Sequence, residues 1–204
     1  MPTEPQTNSG DDLMLAQRYF DAVTFAADVH RRDIRKGTEI PYLAHVLAVS
    51  AMVLEDEGSE DEAIAGLLHD CAEDHGGEEM LARIGGKFGD EVAEIVAGCS
   101  DSLLEEGALK EAWRPRKERY IAHFETATPG VLRVANADKL HNARAIRADL
   151  DLVGDKLWQR FSAPASDQVW YYRALADAFL ERREGRMPRE LDAVVSEMER
   201  RVGG

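Results

Sequence analysis

SEDEAIAGLLHDCAED, residues 59–74, is the stretch whose reading decides the fold. Ser59 followed three residues later by Glu62 is a capping box, in which each side chain bonds the other residue's backbone N–H and closes the first helical turn. At 100° per residue, Ile64, Leu67, Leu68 and Cys71 form one bulky face, and His69, Asp70, Glu73 and Asp74 share the opposite arc with Ala63 and Gly66. The spacing predicts one helix running to about Asp74. A solvated acidic face is the plain reading of Glu73 and Asp74 alone. Four ionisable groups within six residues, at the end of an apolar helix, point instead to chemistry. Gly66 costs about 1 kcal/mol relative to Ala inside a helix, so its presence implies close approach of a backbone or ligand.

The same periodicity extends in both directions. Leu13, Ala16, Phe20, Val23 and Ala27 predict a helix over 12–30, and another over 42–57 ends at Gly58. Further helices are expected near 77–86, 89–101 and 109–126. Thr128-Pro129 is an N-cap and first-turn pair for one over 129–148. Two more fall near 165–184 and 188–201. No alternating strand or hairpin dipeptide breaks the pattern, so the fold class is all-α. The polar residues 1–11 read as a disordered tail and 12–204 as a single domain.

Of 204 residues, 44% are hydrophobic and 31% charged, enough for one compact core. The net charge of −14 opposes binding to nucleic acid polymers or anionic membranes, and leaves room for a small anionic ligand where positive charge or metal is concentrated locally. The longest apolar run, 42–54, is interrupted by His45 and Ser50 and is too short to span a bilayer. The first residues carry no basic or apolar leader. A cytoplasmic protein is expected, and a homo-oligomer stays open. Cys71 and Cys99 lie in apolar-periodic stretches without a CxxC pair, which favours buried free thiols.

Two further ionisable residues sit on faces that should be apolar. His45 shares its face with Tyr42, Val49 and Met52, and Asp138 lies on the stripe of Val131, Val134 and Ala135. A lone inward His is commonly just a hydrogen-bonded core residue, but an unpaired buried carboxylate costs several kcal/mol. Asp138 therefore needs a cation, a lysine or an arginine. Two imidazoles with two carboxylates make a mixed nitrogen and oxygen set suited to Mn²⁺, Fe²⁺ or Mg²⁺ with open water positions.

His45, His69-Asp70 and Asp138, in that order, resemble the motif of the HD-domain metal phosphohydrolases. The flanking words Arg35-Lys36-Gly37, Pro41 to His45, Leu67 to Asp74 and Asp138 to Arg144 resemble the hydrolase domain of RelA/SpoT enzymes and the small alarmone hydrolases, over residues 13–183. The resemblance implies an HD-domain bundle of about eight to ten helices that removes the 3′-pyrophosphate of (p)ppGpp or (p)ppApp. It implies that His45, His69, Asp70 and Asp138 hold one Mn²⁺, with Fe²⁺ or Mg²⁺ as alternatives. Glu73 and Asp74 would orient and deprotonate the water, Arg35 and Lys36 would border the base, and Asn142 would contact the ribose region. Val46 stands where the family usually has Pro, and Cys71-Ala72 where it has Thr followed by Val or Ile; neither departure removes a ligand.

Local charge agrees with a phosphate site. Arg31, Arg32, Arg35 and Lys36 outweigh Asp33 by +3, and Lys139 and Arg144 flank Asp138 as candidate substrate contacts. Tyr42 serves either as packing or as a ligand contact, and Trp170, Tyr171 and Tyr172 read mainly as packing. A second basic stretch, Lys110 to Arg119, suits a lid or a second phosphate contact. The competing functions are another HD-type nucleotide phosphohydrolase and an inactive nucleotide-binding module. The intact Glu73-Asp74 pair and the Asp138-Lys139-Leu140-x-Asn142 word argue against the first, and the retained ligand set and Glu-Asp pair against the second.

Overall fold

A computed structural model of the chain describes residues 15–101 and 112–203. The expected tail over 1–11, the start of the first expected helix and Lys110 lie outside the described residues. The described chain forms α1 (Gln17–Val29), α2 (Leu43–Glu55), α3 (Glu60–Leu68), α4 (Cys71–Asp74), α5 (Gly77–Phe88), α6 (Asp90–Cys99), α7 (Trp113–His123) and α8 (Pro129–Val153). A 3-10 segment, Gly154–Arg160, then leads to α9 (Ala165–Arg182) and α10 (Arg186–Val202). Among the described residues the extended pairing amounts to one antiparallel bridge, Ile34 with Pro41. The class is all-α, as the periodicity predicts.

The capping box forms as read: the Glu62 N–H donates to Ser59 Oγ at 3.1 Å and the Ser59 N–H to Glu62 Oε2 at 2.7 Å. α3 is buried from Glu62 to Leu68. The expected single helix over 59–74 is interrupted, because His69 and Asp70 form a turn and the helix restarts as α4. Asp70 sits at φ −97°, ψ −8°, in the sparsely allowed bridge region. Cys71 and Ala72 keep the apolar spacing across the turn, which hides the interruption from a periodicity argument.

Gly66 marks a close helix crossing. A Cβ there would lie 3.1 Å from Ser50 Cα and 3.3 Å from Ser50 N, so the backbone of α2 occupies its space. Gly66→Ala is therefore expected to destabilise the protein by about 1–3 kcal/mol through overpacking, against a helix-propensity gain of about 1 kcal/mol. A denaturant midpoint that stays put would contradict the close crossing.

α8 is the central rod. Thr128 caps it by accepting the Val131 N–H, Pro129 occupies its first turn, and it runs five residues beyond the expected 148 to end at Gly154 (φ +59°). It packs against α2, α3, α6, α9 and α10. Its buried face, Val131, Val134, Ala135, Leu140 and Ala143 among others, meets Ile64, Leu67 and Leu68 of α3 in one core. Asp56, just past α2, accepts from Arg133 of α8 and Arg183, and Arg133 also bonds Glu62. Cys71 and Cys99 are buried free thiols.

Candidate metal centre and its cleft

Four side chains from three places in the core converge. His45 comes from α2, His69 and Asp70 from the turn after α3, and Asp138 from α8. His45 Nε2 lies 3.2 Å from Asp138 Oδ1 and 3.7 Å from Asp70 Oδ2; His69 Nε2 lies 3.0 Å from Asp70 Oδ2 and 3.6 Å from Asp138 Oδ1. These four atoms form a closed ring. Around an ion with bonds of about 2.1 Å, neighbouring ligands stand about 3.0–3.4 Å apart; two edges of the ring fall in that range and two are a few tenths of an ångström longer, and the donor atoms of His45, His69 and Asp138 all lie within 4.8 Å of one another.

The protonation pattern points the same way. His69 Nδ1 faces the Gly66 carbonyl at 2.9 Å and must donate to it, and His45 Nδ1 faces His141 Nδ1 at 2.8 Å. That leaves both Nε2 atoms buried and without a hydrogen-bond partner, aimed at two carboxylates. Burial alone would lower the His69 pKa and raise those of the two acids. The neighbouring charges win: the two carboxylates hold His69 well above its ordinary value, the imidazoles hold Asp70 well below its own, and Lys139 first, then the imidazoles, do the same for Asp138. A site this electronegative must take up either protons or a cation, and the residues present fit a divalent ion.

The supporting contacts orient the ligands. Lys139 Nζ donates to Asp138 Oδ2 at 2.6 Å, Asn142 Nδ2 to Asp138 Oδ1 at 2.5 Å, and the Tyr42 hydroxyl to Asp70 Oδ2 at 2.5 Å. Tyr42 is thus tied to a candidate ligand, with its ring 5.3 Å from that of His45. Partners of this kind fix the geometry of metal-binding side chains.

The centre borders a cleft of about 290 Å³ lined by Lys36, Glu73, Arg116, Lys117, Lys139 and Asn142, with Phe161 and Tyr172 on its wall. Four cations face one carboxylate there, in a protein whose net charge is −14. A neighbouring depression of about 440 Å³ shares Lys36, Asn142, Phe161 and Tyr172 and adds Arg35 with the apolar Ile146 and Leu157. Arg35 Nη2 donates to Asn142 Oδ1 at 2.8 Å, which holds the basic loop against α8. Glu73 accepts the Asp101 N–H at 3.1 Å. Burial, then the charges of Asp101 and Asp70, push its carboxyl up to about 7. Asp101 is itself bound by Arg116 and Lys117; burial would raise it, but those cations bring it down to about 2. Asp74 is exposed at the end of α4.

Arg144, expected as a substrate contact, is paired with Glu190 of α10. Six residues beyond Asp138 it points off the site face, and it is bound to Glu190 Oε1 through Nε at 3.1 Å and Nη2 at 2.5 Å. Of the first basic run, Arg35 and Lys36 face the cleft, whereas Arg31 pairs with Asp28. The second basic stretch contributes Arg116 and Lys117, while Arg114 stacks on Trp170 with its guanidinium 3.1 Å from the ring centroid. Sequence reasoning gave no role to His141, Asp101 or Phe161. His141 alone left a signal, three residues after Asp138 on the same helical face.

The family model described as HD domain matches residues 22–165. A GTP pyrophosphokinase of Myxococcus xanthus is 34% identical over 154 residues, 71% of this chain and 19% of that protein. A guanosine-3′,5′-bis(diphosphate) 3′-pyrophosphohydrolase of Haemophilus influenzae is 32% identical over 128 residues, 59% of this chain and 17% of that protein. The chain thus spans less than a fifth of the length of these curated relatives. Among solved structures, a metazoan ortholog of SpoT described as hydrolysing ppGpp has a TM-score of 0.66 at 21% identity, over 92% of this chain and 97% of that one. The Listeria monocytogenes protein lmo0812 has a TM-score of 0.67 at 26% identity, over 76% of this chain and 99% of that one.

Proposed function

The chain belongs to the HD-domain family, and on that premise we propose that it is a Mn²⁺-dependent 3′-pyrophosphohydrolase of guanosine or adenosine alarmones, acting in the cytoplasm. One observation carries the reading: the closed ring of His45, His69, Asp70 and Asp138 borders a cationic cleft whose single lining carboxylate is Glu73, its carboxyl pushed up by burial and by the charges of Asp101 and Asp70. A divalent ion in the ring lowers the pKa of a bound water and offsets phosphoryl charge.

The chain's own residues do the rest. Glu73 is poised to take the proton of the attacking water, since a carboxyl near 7 combines the ionised form with a useful basicity at neutral pH. Asp74, at the end of the same short helix, would help orient that water. Lys36, Arg116, Lys117 and Lys139 bind the pyrophosphate and hold its reacting phosphorus against the centre. The adjoining depression, with Arg35, Phe161 and Tyr172, gives a purine a stacking surface. Stacking discriminates poorly between purines, so both ppGpp and ppApp are substrates in this reading.

The purified protein with Mn²⁺, given ppGpp, ppApp, GTP and ATP, should release pyrophosphate from the first two and leave the others whole. GTP hydrolysed as fast as ppGpp would favour a general nucleotide phosphohydrolase. Inertness towards every 3′-pyrophosphorylated nucleotide would favour a binding module.

A further inference from the structure

A second cluster of metal-ligating side chains stands apart from the ring described above. His30 closes α1, Asp33 lies in the loop that follows, and His75 closes α4. His30 Nδ1 and His75 Nε2 both approach the same oxygen, Asp33 Oδ2, at 2.8 and 2.6 Å. The three donor atoms all lie within 4.8 Å of one another. We propose that His30, Asp33 and His75 form a second metal site, for a borderline divalent ion such as Zn²⁺ held by two imidazoles and one carboxylate.

The surroundings are those of a built site. His30 is buried, and its other nitrogen, Nε2, lies 3.5 Å from Cys71 Sγ. In the metal-free protein the Nδ1–H donates to the Asp33 carboxylate; an ion bound at Nδ1 would displace that proton and leave the ring proton on Nε2, where the Cys71 sulfur lies within reach to accept it. The backbone fixes Asp33 on both sides, its N–H donating to the His30 carbonyl at 3.1 Å and its carbonyl accepting the Tyr42 N–H at 2.9 Å. Gly76 and Gly77, at φ +99° and +53°, let the chain turn sharply away after His75 and keep its imidazole on the cluster.

Two imidazoles and one carboxylate leave one formal positive charge on a bound dication and a fourth position for water, the composition of an open zinc site. The His75 and Asp33 side chains are about one-third exposed, so an ion can enter. An open groove of about 380 Å³ begins at His75. Ligand atoms around zinc stand about 3.4 Å apart, wider than the present hydrogen-bonded separations; the two exposed side chains supply the adjustment. The Tyr42 ring, 5.0 Å from that of His30, separates this cluster from Asp70, which its hydroxyl contacts.

The test is a Zn²⁺ titration of the metal-stripped full chain by equilibrium dialysis, with bound metal read by elemental analysis. The wild type should bind two equivalents and His75→Gln one, since glutamine keeps a donor for Asp33 but ligates poorly; Asp33→Asn should also bind one. Removing His69 as well, in a His69→Ala/His75→Gln variant with unchanged circular dichroism, should leave none. A single equivalent in the wild type that survives His75→Gln would overturn the proposal, as would two equivalents retained in both His75→Gln and Asp33→Asn. A wild type with one equivalent that His75→Gln abolishes and His69→Ala does not would support this site and refute the ring of His45, His69, Asp70 and Asp138 instead.

Discussion

His69→Ala is expected to remove the catalytic metal and reduce turnover to background, the largest loss of any single substitution here. It deletes one of four atoms in a closed ring and removes the imidazole that stands 3.0 Å from Asp70 Oδ2. Asp138→Ala should match it in activity and differ in stability. The lost carboxylate strands Lys139 and Asn142, which both donate to it, and leaves the largely buried Lys139 ammonium without its pair, so this variant should be the less stable of the two. Manganese binding followed by electron paramagnetic resonance, alongside ppGpp turnover, checks both. Full Mn²⁺ retention in either variant would refute the ligand assignment.

Glu73→Gln should keep Mn²⁺ and substrate binding and lose about 10²–10⁴-fold in kcat, the usual contribution of a positioned base. The wild-type rate should fall with acid at or below pH 7, because Glu73 must be ionised to accept a proton, and this limb should vanish from the residual rate of the variant. Stability has the opposite sign. A carboxyl raised from 4.5 to about 7 by folding binds its proton more tightly in the folded chain, so the protein loses stability as pH rises from about 4.5 to about 7. Glu73→Gln escapes that loss. Metal-free wild type and variant should therefore be closest in melting temperature below pH 4.5, with the variant relatively more stable at pH 8. A variant that is inactive and also less stable at pH 8 would indicate a structural role.

Helical periodicity was enough to read the class and to place His45 and Asp138 facing inward, because a buried ionisable residue stands out against an apolar stripe. It was enough to foresee that Gly66 marks a close approach, which turned out to be the backbone of α2 at Ser50. It could not show the turn at His69 and Asp70, since apolar spacing continues through Cys71 and Ala72. The pairing of Arg144 with Glu190 joins α8 to α10, which nearness to Asp138 in sequence does not encode. The contact of Glu73 with Asp101, and of Asp101 with Arg116 and Lys117, joins segments whose approach depends on how α4, α6 and α7 pack. No local pattern encodes it.

The two halves of the site rest on different kinds of scaffold. The ring of ligands is carried by α2, the α3 turn and the long rod α8, all wedged into the core, and Asp138, Lys139, His141 and Asn142 follow one another within about a turn of that rod. The surfaces that would read the nucleotide come from peripheral pieces: the loop bearing Arg35 and Lys36, the first turns of α7, and the segment around Phe161. Substitutions in those outer pieces would change the lining of the cleft while the ring of ligands keeps its geometry. On the proposed function, the nucleotide preference would be set by parts of the chain that the ligand ring does not depend on.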